Sequence, residues 1–173
     1  MRSIALKVSI GFAVACGCVL TFCIAAGRST AAQVQTVAVV SYPDGYRTWT
    51  NVKSALVSSR HPDFEGSGGF RHIYANTQAI EGYRAGAFAD VSIIVVDWIE
   101  GRDENGMFTE GARRRVDVMV KNRSQFDATG GWGFERFQGD SRTQRTVTSA
   151  STQCFACHSG PGTRDMVFSK FRQ

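Results

Sequence analysis

Past residue 33 the chain alternates more than it spirals. Short runs rich in β-branched and aromatic residues occupy positions 70–75, 92–99, 106–108, 115–121 and 133–137, and they predict strands. The Gly and Asp clusters between them, such as GRDENG at 101–106, predict hairpin turns. Only two segments carry a helical period. Residues 46–58 (YRTWTNVKSALVS) place Trp49, Val52, Leu56 and Val57 on one helical stripe, and residues 77–85 form a second short helix closed by Gly86. The pattern therefore predicts a mainly β, α+β domain: an antiparallel sheet with one or two short helices. It excludes a four-helix bundle, which needs four long amphipathic helices that this chain does not supply.

The first 32 residues follow another rule. Arg2 and Lys7 precede an apolar run over residues 8–26, which gives way to the small, polar stretch Gly27-Arg28-Ser29-Thr30-Ala31-Ala32. That is the layout of a secretory signal peptide, and Thr30 and Ala32 meet the small-x-small requirement for cleavage after Ala32. The apolar run is also long enough for an uncleaved membrane anchor. A lipid-anchored Cys23 is disfavoured by the bulky Phe22 before it. The expectation is a leader over residues 1–32 and one exported, periplasmic domain over residues 33–173. At about 140 residues, that domain can bury a core without disulfide staples.

Charge then reads differently. The whole chain carries a net charge of +5, but removal of Arg2, Lys7 and Arg28 leaves 17 basic against 15 acidic residues, roughly +2. The basicity belongs mostly to the leader, so a nucleic-acid partner is not expected.

Of the five cysteines, Cys16, Cys18 and Cys23 lie in the leader and only Cys154 and Cys157 in the body. A lone C-x-x-C in an oxidising compartment suits a disulfide or a redox pair, and two such pairs suit zinc. A second pair is missing here, and His158 follows Cys157 directly. C-x-x-C-H is the attachment motif of c-type haem: the two thiols add to the haem vinyls, and the adjacent imidazole becomes an axial ligand. Cys154 and Cys157 are the expected tethers of one haem c, and His158 the expected iron ligand. The candidates for a sixth ligand are Met107, Met119, Met166, His61 and His72. Met166 lies too near His158 in sequence to reach the other haem face, and Met119 sits in a strand pattern. The two histidines read as surface or hydrogen-bonded residues, so an open distal position is the expectation.

Taken together, several pieces resemble one known family. They are Tyr42-Pro43-x-x-Tyr46-Arg47-x-Trp49, Phe70-Arg71-His72-Ile73-Tyr74, Gly86-Ala87-Phe88-Ala89-Asp90 before a β-branched strand, Gly131-Trp132-Gly133-Phe134, and the terminal C-x-x-C-H with Val167-Phe168 behind it. In order and spacing these resemble the cytochrome P-460 and cytochrome c′-beta family, over nearly all of the exported body. The resemblance implies a β-rich homodimer with a five-coordinate haem c on His158. One branch of that family oxidises hydroxylamine and carries an extra link from haem to a lysine. The other binds nitric oxide or carbon monoxide behind a phenylalanine-capped face.

The position similar to the linking lysine is Val96, and the body's lysines, Lys53, Lys121 and Lys170, do not obviously replace it. Asp117 is similar to a residue that presents a carboxylate to the distal pocket, where it would accept protons. Its alternation with Val116 and Val118 alone would instead turn it to solvent. Phe64 and Phe70 flank the loop 65–69 and are the candidates for a shield over the iron. Arg113-Arg114-Arg115 reads as a solvated strand edge, with a seat for an acidic redox partner or a contact with a haem propionate as the alternatives. Three functions stay open: a binder of nitric oxide or a related small nitrogen ligand, a hydroxylamine-oxidising enzyme passing electrons to a soluble cytochrome, and a simple electron-transfer cytochrome.

Overall fold

The computed structural model describes residues 39–62 and 64–172, so the leader expected over residues 1–32 lies outside the described residues. Five strands pair antiparallel in chain order: β1 (Thr50–Val57), β2 (Gly69–Ala75), β3 (Ile93–Glu104), β4 (Met107–Lys121) and β5 (Trp132–Gln138). A single helical turn, α1 (Phe64–Ser67), lies between β1 and β2. The helix α2 (Thr77–Ala85) joins β2 to β3, and the last turn, α3 (Ala156–His158), carries the motif histidine. The architecture is the mainly β, α+β domain that the pattern predicts.

Both faces of the sheet are covered. On one face Val52, Ala75, Ile94, Met119, Trp132 and Phe134 pack with Ala79 and Ile80 of α2, with Phe88 and with Val167. On the other, Val95, Val116, Val118 and Phe137 pack beneath Val40 and Tyr46. Trp132 and Phe137 are wholly buried, and burying a large apolar side chain contributes about 2 kcal/mol. The helix α2 forms where residues 77–85 predict it, because both ends are capped. The Asn76 side chain accepts from Ala79 N–H at 2.9 Å, and Gly86 takes the left-handed conformation (φ 80°) that closes the last turn.

Three sequence expectations fail here, each for a physical reason. Residues 46–58 do not form a helix: Tyr46–Thr48 make one 3-10 turn and β1 follows. The register of β1 on β2 slips between Asn51 and Lys53, and a bulge of this kind breaks strict alternation. Val52 and Val57, five apart, are therefore both buried in a strand, and the odd spacing imitates a helical stripe. The segments 106–108 and 115–121 are not separate strands but the two ends of β4. The turn before β4 is only Asn105-Gly106, both at positive φ (57° and 89°), as a two-residue hairpin turn requires.

The arginine run is not a solvated edge. Arg113 donates through Nε to Asp97 at 2.8 Å and pairs also with Asp140. Arg114 donates to the carbonyls of Glu65 and Gly68, and Arg115 to that of Gly66, which fastens the α1 loop to β4. Asp97 itself is fully buried and accepts further hydrogen bonds from Tyr46 Oη (2.7 Å) and Arg47 Nε (3.0 Å). One carboxylate thus ties the segment before β1 to β3 and β4.

Candidate haem site

Residues Ser151–Phe155 form a wide π-type turn that runs directly into α3. On this short helical stretch Cys154 is half-buried, Cys157 is exposed, and both thiols are free. Burial pushes the Cys154 thiol up, with Arg136 opposing it. His158 comes next, and its ring is held from three sides. Nδ1 lies 2.7 Å from the carbonyl oxygen of Met166, and the rings of Phe134 and Phe168 stand 5.1 and 4.9 Å away, centroid to centroid. A carbonyl only accepts, so Nδ1 carries the proton, and Nε2 is left with a lone pair for a metal.

Both cysteines and His158 line a cavity of about 400 Å³, within the range that buries a cofactor-sized ligand. Its floor is the first face of the sheet. One cross-strand row, Lys53–Ile73–Val96–Asp117–Arg136, runs through all five strands, and every member lines the cavity. Ile94, Met119 and Phe134 form the neighbouring row. The period of two that governs strands makes the row contiguous, because residues paired across a sheet point to the same side.

Val96 is at the centre of this floor, and Asp117 is beside it. Asp117 does not face bulk solvent as its alternation suggested: Val116 and Val118 enter the second core, and the alternate face is the cavity. The Asp117 carboxylate is closely held. Arg136 Nε donates to Oδ1 at 2.6 Å, while Trp98 Nε1 (2.9 Å) and Arg115 Nε (3.3 Å) donate to Oδ2. That hydrogen bond to Asp117 holds the Arg136 guanidinium more firmly protonated than usual. The Trp98 ring lies between two guanidinium groups, Arg71 at 5.0 Å and Arg115 at 4.1 Å.

Phe64 and Phe70 are not among the cavity-lining residues, so the expected shield is corrected. Arg71 and Ile73 face the cavity, which sends Phe70 to the opposite side of β2, where it stacks on His72 at 5.9 Å. Phe64 lies in α1 and is partly exposed, at 41%. The candidate sixth ligands separate just as clearly. Met107 is exposed beside the hairpin turn. His72 points away from the cavity and bonds Glu110 and Ser54. His61 does not line the cavity. Met166 offers His158 its carbonyl, and its thioether packs against Gly130. Met119 does reach the cavity, but its row is that of Phe134, whose ring touches His158.

The sequence reading missed Lys53, Arg71, Trp98 and Arg136 as cavity residues, and it missed the Met166 carbonyl. The first four become visible only once the register of the strands is known. A model of the family described as Cytochrome P460 matches residues 43–169. The chain belongs to the cytochrome P460 family. A comparison with curated proteins found no match.

Membership makes the chain a mono-haem c-type cytochrome, with haem c and iron as its cofactor. The residues present suit that group: two free thiols one helical turn apart, an imidazole with Nε2 unclaimed, the apolar side chains of Ile73, Ile94 and Val96 in the floor, and Lys53 and Arg71 as cations for the haem carboxylates. Cytochrome P460 proteins are generally exported, and among the described residues no helix is long and apolar enough to cross a membrane.

Proposed function

We propose that the chain is an exported, periplasmic cytochrome P460-type protein. Cys154 and Cys157 tether one haem c as thioethers, His158 is its protein ligand, and the open side takes nitric oxide or a related small nitrogen ligand. A haem iron with one protein ligand supplies an open coordination position and one-electron chemistry. What supports the reading is the cavity wall. Among the residues that line it, Met119 is the one methionine and His158 the one histidine, and Met119 lies in a strand row of the floor, so the lining brings no second imidazole to the iron. Val96 and Ile73 give the middle of the row from Lys53 to Arg136 an apolar patch that suits a small neutral ligand.

One observation favours a second reading, oxidation of hydroxylamine with electrons passed to a soluble cytochrome. Asp117 adjoins Val96 in the floor and could accept a substrate proton, provided that Arg136, itself partly exposed, swings off Oδ1. The homodimer belongs to the same proposal.

The optical spectrum of the dithionite-reduced holoprotein, taken before and after nitric oxide, separates the readings. A five-coordinate spectrum with an ordinary Soret band that changes on adding the gas is expected. A strongly red-shifted Soret band together with turnover of hydroxylamine would make the second reading the function. A six-coordinate spectrum unmoved by nitric oxide would sink both.

A further inference from the structure

His158 is steered by a turn that has no local reason to exist. Asp165 and Met166 both have positive φ (45° and 65°), and Arg164 and Val167 close over them with two backbone hydrogen bonds of 3.0 Å. That is a two-residue primed turn, which normally asks for Asn-Gly. Asp tolerates the left-handed region, whereas Met there is strained. A strained turn persists only when its surroundings over-determine it, and such turns gather at functional sites. This one delivers the Met166 carbonyl to His158 Nδ1 at 2.7 Å.

What holds the turn is a buried charge. Lys121, the last residue of β4, has a side chain only 3% exposed. Its Nζ donates to Asp165 Oδ1 at 2.7 Å and to the Gly130 carbonyl at 3.2 Å, and it lies 4.9 Å from the centre of the Trp132 ring. Asp165 Oδ2 accepts from Phe88 N–H at 2.8 Å, and its backbone carbonyl accepts from Trp132 Nε1 at 3.0 Å. Three separate elements therefore fix one residue of the turn.

We propose that Lys121 and Asp165 are positioning residues for the axial histidine. Their ion pair clamps the Asp165–Met166 turn so that its carbonyl holds the Nδ1 proton of His158, which sets the ring's orientation and its strength as an iron ligand. The inference rests on His158 being that ligand. A carbonyl bonded to Nδ1–H raises the electron donation of the ring through Nε2, and such outer partners tune metal sites strongly. A buried lysine is costly unless paired, so its survival at the end of β4 in place of an apolar residue is accounted for by this task.

The test is resonance Raman spectroscopy of the reduced holoprotein for wild type, Lys121→Met and Asp165→Asn, with haem content and far-UV circular dichroism as checks of folding. Lys121→Met keeps the volume and removes the charge. Asp165→Asn keeps an acceptor for Phe88 N–H and a residue at ease in the left-handed region, so it decides the matter if the first variant does not fold. The iron–histidine stretching band is expected to move to lower frequency in each folded variant. The exposed ion pair of Arg123 with Asp90 serves as the control, and Asp90→Asn should leave the band where it is. A band unmoved in a folded Asp165→Asn protein would show the pair to be merely structural and overturn the proposal. If wild type and His158→Ala gave the same spectrum, the assignment of His158 as ligand would fail, and the proposal with it.

Discussion

Two aspartates, twenty residues apart in sequence, divide the charge chemistry of the sheet. Asp117 stands in the cavity floor among Arg136, Arg115 and Trp98, whereas Asp97 is sealed on the opposite face with Tyr46, Arg47 and Arg113. Burial alone would push the Asp97 carboxyl up, but Arg113, Tyr46 and Arg47 outweigh it and hold it below the ordinary carboxylate range. The same contact pushes Tyr46 well above the usual phenol range, with burial the larger cause. A carboxyl lowered in the folded state adds stability above its unfolded value of about 3.9, and that stability is lost as pH falls through the folded value. Removing one partner of a buried charge network typically costs about 3 kcal/mol. Asp97→Asn should therefore unfold at lower urea near neutral pH by about that amount. Below pH of about 4 its stability should fall less steeply with acid than that of the wild type. Urea titrations across pH check this, and parallel curves for the two proteins would remove Asp97 from the account.

At the scale of strands, the slip in β1 decides what the cavity contains. A bulge between Asn51 and Lys53 turns Lys53 to the same face as Ile73, Val96 and Asp117, two strands and roughly 10 Å of sheet from Val96. A cation there favours the reduced iron, since reduction adds negative charge. Lys53→Met should lower the reduction potential, by on the order of 1 kcal/mol once solvent screening is counted. Spectroelectrochemistry reads this, and a potential that stays or rises would place the ammonium outside the cavity in solution. The same slip explains which parts of the site were legible in the sequence. Cys154, Cys157 and His158 announce themselves by spacing, because the chemistry of attachment needs them consecutive. The strands β2, β3 and β5 and the helix α2 show in β-branched runs and in the Asn76 and Gly86 caps. Lys53, Arg71 and Arg136 do not show, because their common face exists only when five strands pair in register. Phe64 and Phe70 were misplaced for the complementary reason: nearness in sequence to a loop does not tell which side of a strand faces the iron.

For the molecule as a whole, the leader and the haem make a joint prediction that mass can check. Cleavage after Ala32 would remove Cys16, Cys18 and Cys23 and leave a chain whose only two thiols are both taken by thioethers. The exported protein, unfolded and treated with an alkylating reagent, should then show the mass of residues 33–173 plus one haem with no alkyl group added. One or two alkyl groups would mean that a thioether is missing, and a greater mass carrying the leader would mean an anchored protein. Native mass spectrometry of the same sample addresses assembly. Met107 and Phe108 are exposed beside the hairpin turn, and Leu56 and Phe64 are exposed elsewhere on the surface; apolar surface of this kind is what a second copy would cover. Twice the holoprotein mass is expected, and Phe108→Glu should shift the balance toward the monomer while leaving the haem spectrum as it is, since Phe108 lines no part of the cavity. A monomer for the unaltered chain would confine the haem chemistry to one copy and leave the hairpin surface for the redox partner.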